Sequence, residues 1–274
     1  MSETNGVFSM NVVRQTRPDN ITKDDWNYYL SRTPIEYINE TAKDLKNKNH
    51  FHADDRFEKI LLYFSNSYFA KRELLPPKEM FRARVYREND AIERYTNPND
   101  YGMFQGYDPA GSGVAPPENA ASGRVNPKGI SYLYTSSDPH SALLEARTQP
   151  GEIVSVATIA LKERAVLLDL TICASIFDED PEEKTTWINR LIFGLADIFQ
   201  MPLSLLGGYD LCQYISEFAR NRGFDGIVYR ASHVQELGTS RGINYVFFDP
   251  SKCEVVSSKL HCITSMCVET SPPL

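Results

Sequence analysis

The sequence predicts an α+β fold: a mixed, mainly antiparallel sheet preceded by a helical N-terminal extension. Three observations carry this. Before residue 78 apolar residues recur at spacings of three and four, the helical period. From Met80 onward several runs alternate with period two or are short, apolar and β-branched. Strands and helices then follow one another without regular alternation, which argues against a doubly wound parallel sheet. The chain divides into a flexible N-terminus (1–20), a helical extension (21–78), a main domain (79–265) and a tail (266–274).

In the extension, Thr22 and Asp25 have capping-box spacing, as do Thr33 and Glu36 around Pro34. Ile35, Ile38, Ala42 and Leu45 mark a second helix, and Phe57, Ile60, Leu61 and Phe64 a third. Phe81 to Arg87 alternates as a strand, with Arg82 and Arg84 on the face opposite Phe81 and Val85. Two guanidiniums side by side repel unless an acid or anion lies near; otherwise this is an ordinary solvated strand edge. Residues 88–122 read as a long loop, the kind that often covers or forms a binding site. Its Gly111-Ser-Gly113 follows no strand and lacks the third glycine, so a dinucleotide fingerprint is rejected.

Gly123 to Gly129 is a turn-rich loop carrying Arg124, and Ile130 to Tyr134 a brief strand. Asp138-Pro139 opens a helix that reaches Glu145. Strands are expected over 153–161 and 165–170, and a helix from Pro181 through Ile198. Asp210 and Gln213 resemble another capping box, for a helix closed by Gly223. Asp225–Ala231 and Gly242–Phe248 read as strands, and 253–256 and 260–263 as edge strands.

The net charge of −7 argues against a broad nucleic-acid-binding face. No apolar run is long enough to span a bilayer, and the N-terminus lacks a signal-peptide pattern, so a cytoplasmic protein is expected. Five cysteines, at 173, 212, 253, 262 and 267, lack paired zinc spacing and are read as reduced thiols. His50 and His52, beside Asp54 and Asp55, are a weak metal candidate, and no resident metal is expected.

The chemistry gathers around 123–147. Arginines on a strand and in a glycine-containing loop suit a di- or polyphosphate. A tyrosine ring suits a heteroaromatic base. A single carboxylate suits a ribose diol and an oxocarbenium-like transition state whose leaving group needs no proton, as with the nicotinamide of NAD. Each residue alone also has a structural reading. Arg124 could pair with an acid, Tyr134 could be core, Glu145 a solvated helix residue and Ser232 a strand-end cap.

Several segments together carry a resemblance: Gly123–Ser131, Leu133-Tyr134, Ala142–Glu145, Val166–Thr171, Gln213–Phe218, Asp225–Ser232 and Gly242–Phe248. In collinear order over about residues 80–250 they resemble the RES-domain family. That resemblance implies an ADP-ribosyltransferase-like fold and an enzyme that destroys NAD+ by phosphorolysis or hydrolysis. It further implies a toxin-like growth inhibitor, often paired with an antitoxin that covers the site. Transfer of ADP-ribose to a protein is the alternative reaction, and a non-catalytic nucleotide-binding protein the alternative class.

Carried over by position, the resemblance makes Arg82, Glu145 and Ser232 catalytic. It assigns NAD+ binding to Arg82, Arg84, Gly123, Arg124, Asn126, Tyr134 and Ser232. NAD+ enters as substrate, inorganic phosphate as a co-substrate, and no further cofactor is implied. Arg84 competes with Arg82 as the primary phosphate ligand. Val125 and Cys212 stand where the family commonly has a larger apolar residue and a threonine, and Ala231 where it is often more polar.

Overall fold

The computed structural model describes residues 21–47, 54–87, 105–172, 183–201, 208–231 and 242–265. Three N-terminal helices come first: α1 (Lys23–Leu30), α2 (Pro34–Asn47) and α3 (Asp55–Asn66). Thr22 and Asp25 close the expected box on α1, and Thr33 and Glu36 that on α2, where Thr33 N–H donates to the Glu36 carboxylate at 2.8 Å. A short helix α4 (Pro109–Ser112) and a helix α5 (Pro139–Glu145) follow, then α6 (Glu183–Ile198) and α7 (Asp210–Asn221).

Eight strands form one sheet: β1 (Lys71–Leu74), β2 (Glu79–Val85), β3 (Leu133–Ser136), β4 (Ile153–Leu161), β5 (Ala165–Leu170), β6 (Gly226–Arg230), β7 (Ile243–Phe247) and β8 (Cys253–Cys262). Their order is β1-β5-β6-β7-β3-β2-β4-β8. Among the described residues only β5 and β6 run parallel; α6 and α7 lie in the connection between them. The expected α+β class with a mixed, mainly antiparallel sheet is what forms.

One face of the sheet packs on the helices. Leu168, Ile227, Tyr229 and Val246 share a core with Tyr29, Tyr37, Phe57, Leu191 and Ile215. Trp187 of α6 stacks on Tyr29 at 5.2 Å, and its indole N–H donates to the Arg32 carbonyl at 2.9 Å. The N-terminal helices are thus built into the core of the sheet. The other face packs on itself through Met80, Leu133, Ile159, Leu167, Val228 and Phe247.

Four local readings differ from the structure. Lys71–Leu74, inside the span expected to be helical, is an edge strand paired with β5. The strand expected at 130–134 begins at Leu133, because Asn126 and the positive φ of Gly129 hold the preceding residues in the loop. The two expected edge strands near the C-terminus are one, β8, with an irregularity opposite Thr158 and Ile159. Tyr209 precedes α7 without a side-chain cap, so Asp210 and Gln213 form no capping box.

Buried Asp25 ties α1 to α3: Lys59 lies 2.6 Å and Arg56 3.3 Å from its carboxylate. Burial alone would raise its pKa, but the bonds from Lys59 and Thr22 bring it from 3.8 to about 2. The folded value lies below the free one, so this stabilisation is present above pH 3.8 and is lost as pH falls toward 2. Asp25→Asn should lower stability by about 2 kcal/mol at pH 7. Urea titrations should show the gap closing as acid protonates the wild-type carboxylate.

Candidate functional site

The site begins where the sheet splits. β2 and β3 pair at one position, Phe81 with Ser136. The same register would set Arg82 opposite Thr135, but the ladder stops. Instead the Arg82 guanidinium donates to the Tyr134 carbonyl at 2.8 Å, giving that backbone acceptor the partner it lacks. Arg82 Nε is buried with no hydrogen-bond partner. Burial, then the neighbouring Arg84, pulls its pKa down to about 10. Arg84 is differently placed. Its two terminal nitrogens donate to the Gly111 and Gly113 carbonyls, each at 2.6 Å, so it holds the end of the 105–113 segment. Among the described residues neither arginine is paired with a carboxylate.

The loop after Ala120 is held by its own side chains. The Asn126 amide donates to the carbonyls of Ala121, Pro127 and Ile130 at 2.8–3.0 Å. Its oxygen accepts from the Tyr134 hydroxyl at 2.7 Å, and that hydroxyl accepts from Val125 N–H at 2.9 Å. Asn126 is only 4% exposed and Val125 lies in the helix-side core. From outside the loop, Gln213 Nε2 reaches Ser122 Oγ and the Gly123 and Asn126 carbonyls at 2.8–3.0 Å. Gly123 has no room for a side chain: a Cβ there would lie 2.5 Å from Asn126 Oδ1 and 2.7 Å from the Tyr134 hydroxyl.

Arg124 leaves this loop toward the C-terminal end of α6. It donates to the carbonyls of Ile198 and Met201 at 2.9 and 2.8 Å, where a cation complements the helix dipole. Its guanidinium lies 5.4 Å from the Tyr209 ring and 6.0 Å from that of Tyr229.

Glu145 is the last residue of α5, a helix started by Asp138, which accepts from Ser141 N–H at 2.8 Å, and by Pro139. Asn244 Nδ2 donates to Glu145 Oε1 at 2.8 Å, while Asn244 Oδ1 accepts from Ser136 Oγ at 2.8 Å. Asn244 is 3% exposed, so its amide is fixed and so is the carboxylate it holds. Arg147, two residues beyond Glu145, ends the helix with φ 53°, a conformation that favours glycine. Buried Tyr229 ties the cluster together. Desolvation raises its phenol pKa first, the fields of Glu145 and Tyr134 raise it further, and that of Arg124 opposes.

The structure therefore brings Arg82, Gly123, Arg124, Asn126, Tyr134 and Glu145 into one neighbourhood and sends Arg84 to the 105–113 segment. Ser232, His50, His52, Cys173 and Cys267 lie outside the described residues. Among those described, no group of three or more His, Cys, Asp or Glu could hold a metal, and no helix is long and apolar enough to cross a membrane.

Asn244, Gln213 and Tyr229 carry the site but were not singled out from the sequence. Asn244 had a signal, a lone amide inside the apolar run Ile243–Phe247. Gln213 had one too, misread as a cap. Tyr229 had none, since a tyrosine in a buried strand is ordinary.

The RES domain model matches residues 93–265, more than half of the chain. The chain belongs to the RES domain family. That match begins after β2, so Arg82 and Arg84 lie outside it; the pairing of β2 with β4 and with Ser136 sets their place. No curated protein gives a significant sequence match. Among solved structures, the chain is similar to one from the crystal structure of the M.tuberculosis MbcT-MbcA toxin-antitoxin complex. The TM-score is 0.37 at 13% identity, over 69% of this chain and 87% of that one.

Gly123→Ala should break the loop while leaving the sheet intact. The expected result is a melting temperature within a few degrees of wild type and near-complete loss of ligand binding by calorimetry. Arg82→Met removes a buried charge with no carboxylate partner. Thermal unfolding without ligand should show stability raised by about 1 kcal/mol, and added pyrophosphate should stabilise the wild type more than the variant.

Proposed function

We propose that the chain consumes NAD+ by cleaving its nicotinamide–ribose N-glycosidic bond, with inorganic phosphate or water as acceptor. The observation that carries this is the placement of Glu145. Asn244, itself held by Ser136, fixes the Glu145 carboxylate, and in the β2–β3 gap Arg82 donates to the Tyr134 carbonyl with no carboxylate partner among the described residues. A fixed carboxylate together with an uncompensated cation suits a substrate that joins a diphosphate to a sugar which becomes cationic in the transition state.

In this reading Arg82 is the primary phosphate ligand, because both terminal nitrogens of Arg84 are taken by loop carbonyls. Arg124 anchors the loop on α6 and adds positive field. Tyr134, its hydroxyl committed to the loop, offers only its ring to the nicotinamide end. Glu145 accepts hydrogen bonds from the ribose hydroxyls. It stabilises the oxocarbenium as the C–N bond breaks and nicotinamide leaves as a neutral base with the bonding pair. A phosphate or water oxygen then bonds to the anomeric carbon, and water releases its proton. Ser232 contributes a hydrogen bond to a phosphate or ribose oxygen. A toxin-like role in the cytoplasm, with a cognate antitoxin over the site, accords with membership of the RES domain family.

Glu145→Ala should cut nicotinamide release at least a hundredfold, a barrier cost of about 3 kcal/mol. Asn244→Ala should lower kcat with little change in KM, since it acts through the carboxylate it holds. Wild-type nicotinamide release by the Glu145 variant would sink the mechanism. Phosphorus NMR of NAD+ with the enzyme, with and without phosphate, separates phosphorolysis from hydrolysis, and label appearing on protein would indicate ADP-ribose transfer.

A further inference from the structure

A second group of cations lies on the opposite face of the sheet from Asn244. Arg72 of β1 and Arg230 of β6 converge on one residue, Thr171, just beyond the end of β5. Arg72 Nε donates to Asp169 Oδ2 and its Nη2 to Thr171 Oγ1, both at 2.8 Å. Arg230 Nε donates to the Thr171 carbonyl at 2.8 Å. The second Asp169 oxygen already accepts from Thr171 N–H and O–H, at 2.8 and 2.6 Å. Asp169 is thus committed to Arg72 and Thr171 and makes no bond to Arg230. That side chain is half-buried, and among the described residues its two terminal nitrogens have no acceptor.

The strand register shows which cations share this face. Arg72 lies opposite Leu167 and Arg230 opposite Ile243, on the side of Leu167, Val228 and Tyr245. Arg82 and Arg84 leave β2 on the same side, but Arg82 turns into the β2–β3 gap toward the Tyr134 carbonyl and Arg84 grips the 105–113 segment. Tyr229 and Asn244 point the other way, into the helix-side core. Among the described residues, Asp169 is the single carboxylate bonded to any of these four guanidiniums. In a chain of net charge −7, that leaves one face locally positive.

We propose that Arg230, steadied by Thr171 and supported by Arg72, binds a phosphate oxyanion. A guanidinium held through Nε presents its two terminal N–H groups as a fixed fork, which matches two phosphate oxygens. The surplus of positive charge on this face suits a dianion. Free inorganic phosphate and the phosphate of a nucleotide share this chemistry. The binding does not depend on NAD+ being cleaved.

The test uses the full chain with two probes, inorganic phosphate and AMP, each titrated by calorimetry. Arg230→Met should weaken the probe that the site accepts by about tenfold or more, and Arg230→Lys by less, because a point charge replaces a fork. Weakening of inorganic phosphate identifies the free ion as ligand; weakening of AMP alone identifies a nucleotide phosphate. Phenylglyoxal labelling of the wild type, read at Arg230 by peptide mass spectrometry, decides the matter even where a variant misfolds: the bound probe should protect Arg230. Unchanged affinity of both probes in a folded Arg230→Met, or no protection of Arg230 by either, overturns the proposal. NAD+ turnover by the wild type is measured in parallel. Its absence would remove the proposed reaction and leave the binding result standing.

Discussion

The rest of the site depends on a ladder that stops after one residue pair. Where β2 and β3 part beyond Phe81 and Ser136, a backbone carbonyl of β3 needs a donor, and Arg82 supplies it. A side chain thus stands where a strand hydrogen bond would be. This gap places a guanidinium at the heart of the sheet. Ser136, last of the paired positions, also holds Asn244, and Asn244 holds Glu145. Cation and carboxylate are set by the same short stretch of β3.

The opposing energies can be compared. Holding Arg82 charged in its buried place, with a pKa lowered to about 10, costs on the order of 3 kcal/mol. Each ordinary hydrogen bond returns only about 1 kcal/mol net. The single bond to Tyr134 does not offset the charge, whereas the helix-side core does so many times over. The 120–130 loop is the reverse case. Asn126, Tyr134 and Gln213 satisfy its backbone groups at short range, so the loop is ordered before any ligand arrives.

Much of this was legible in the sequence. Periodicity and cap signals located the helices except short α4, which lies in the expected 88–122 loop, and all strands but β1, whose four residues, Lys-Arg-Glu-Leu, carry too little apolar pattern to register. Turn chemistry marked the Gly123–Gly129 loop and the start of α5. The grouping of Arg82, Arg124, Tyr134 and Glu145 came from the collinear resemblance to the RES-domain family; residue types alone left each with a structural reading. Side-chain direction was not legible. Arg82 and Arg84 read as equivalent by alternation, yet one fills a gap in the sheet and the other grips a loop. Asn126 and Tyr134 read as ligand contacts, yet their polar atoms face each other. Gln213 had the spacing of a cap, but only the approach of a loop some ninety residues earlier gives its amide a use. Such outcomes depend on what long-range packing brings near, and local pattern carries none of that.

The long sequence separations in these contacts bear on the order in which the molecule matures. Glu145 receives its fixing bond from a residue 99 positions later, and Trp187 meets the Arg32 carbonyl across 155. A ribosome therefore releases the N-terminal helices well before the helices they pack on, and the glutamate well before β7. Until β7 emerges the carboxylate has no Asn244 to hold it. A partly made chain carries Glu145 without its alignment, and the carboxylate is set only once β7 has been made.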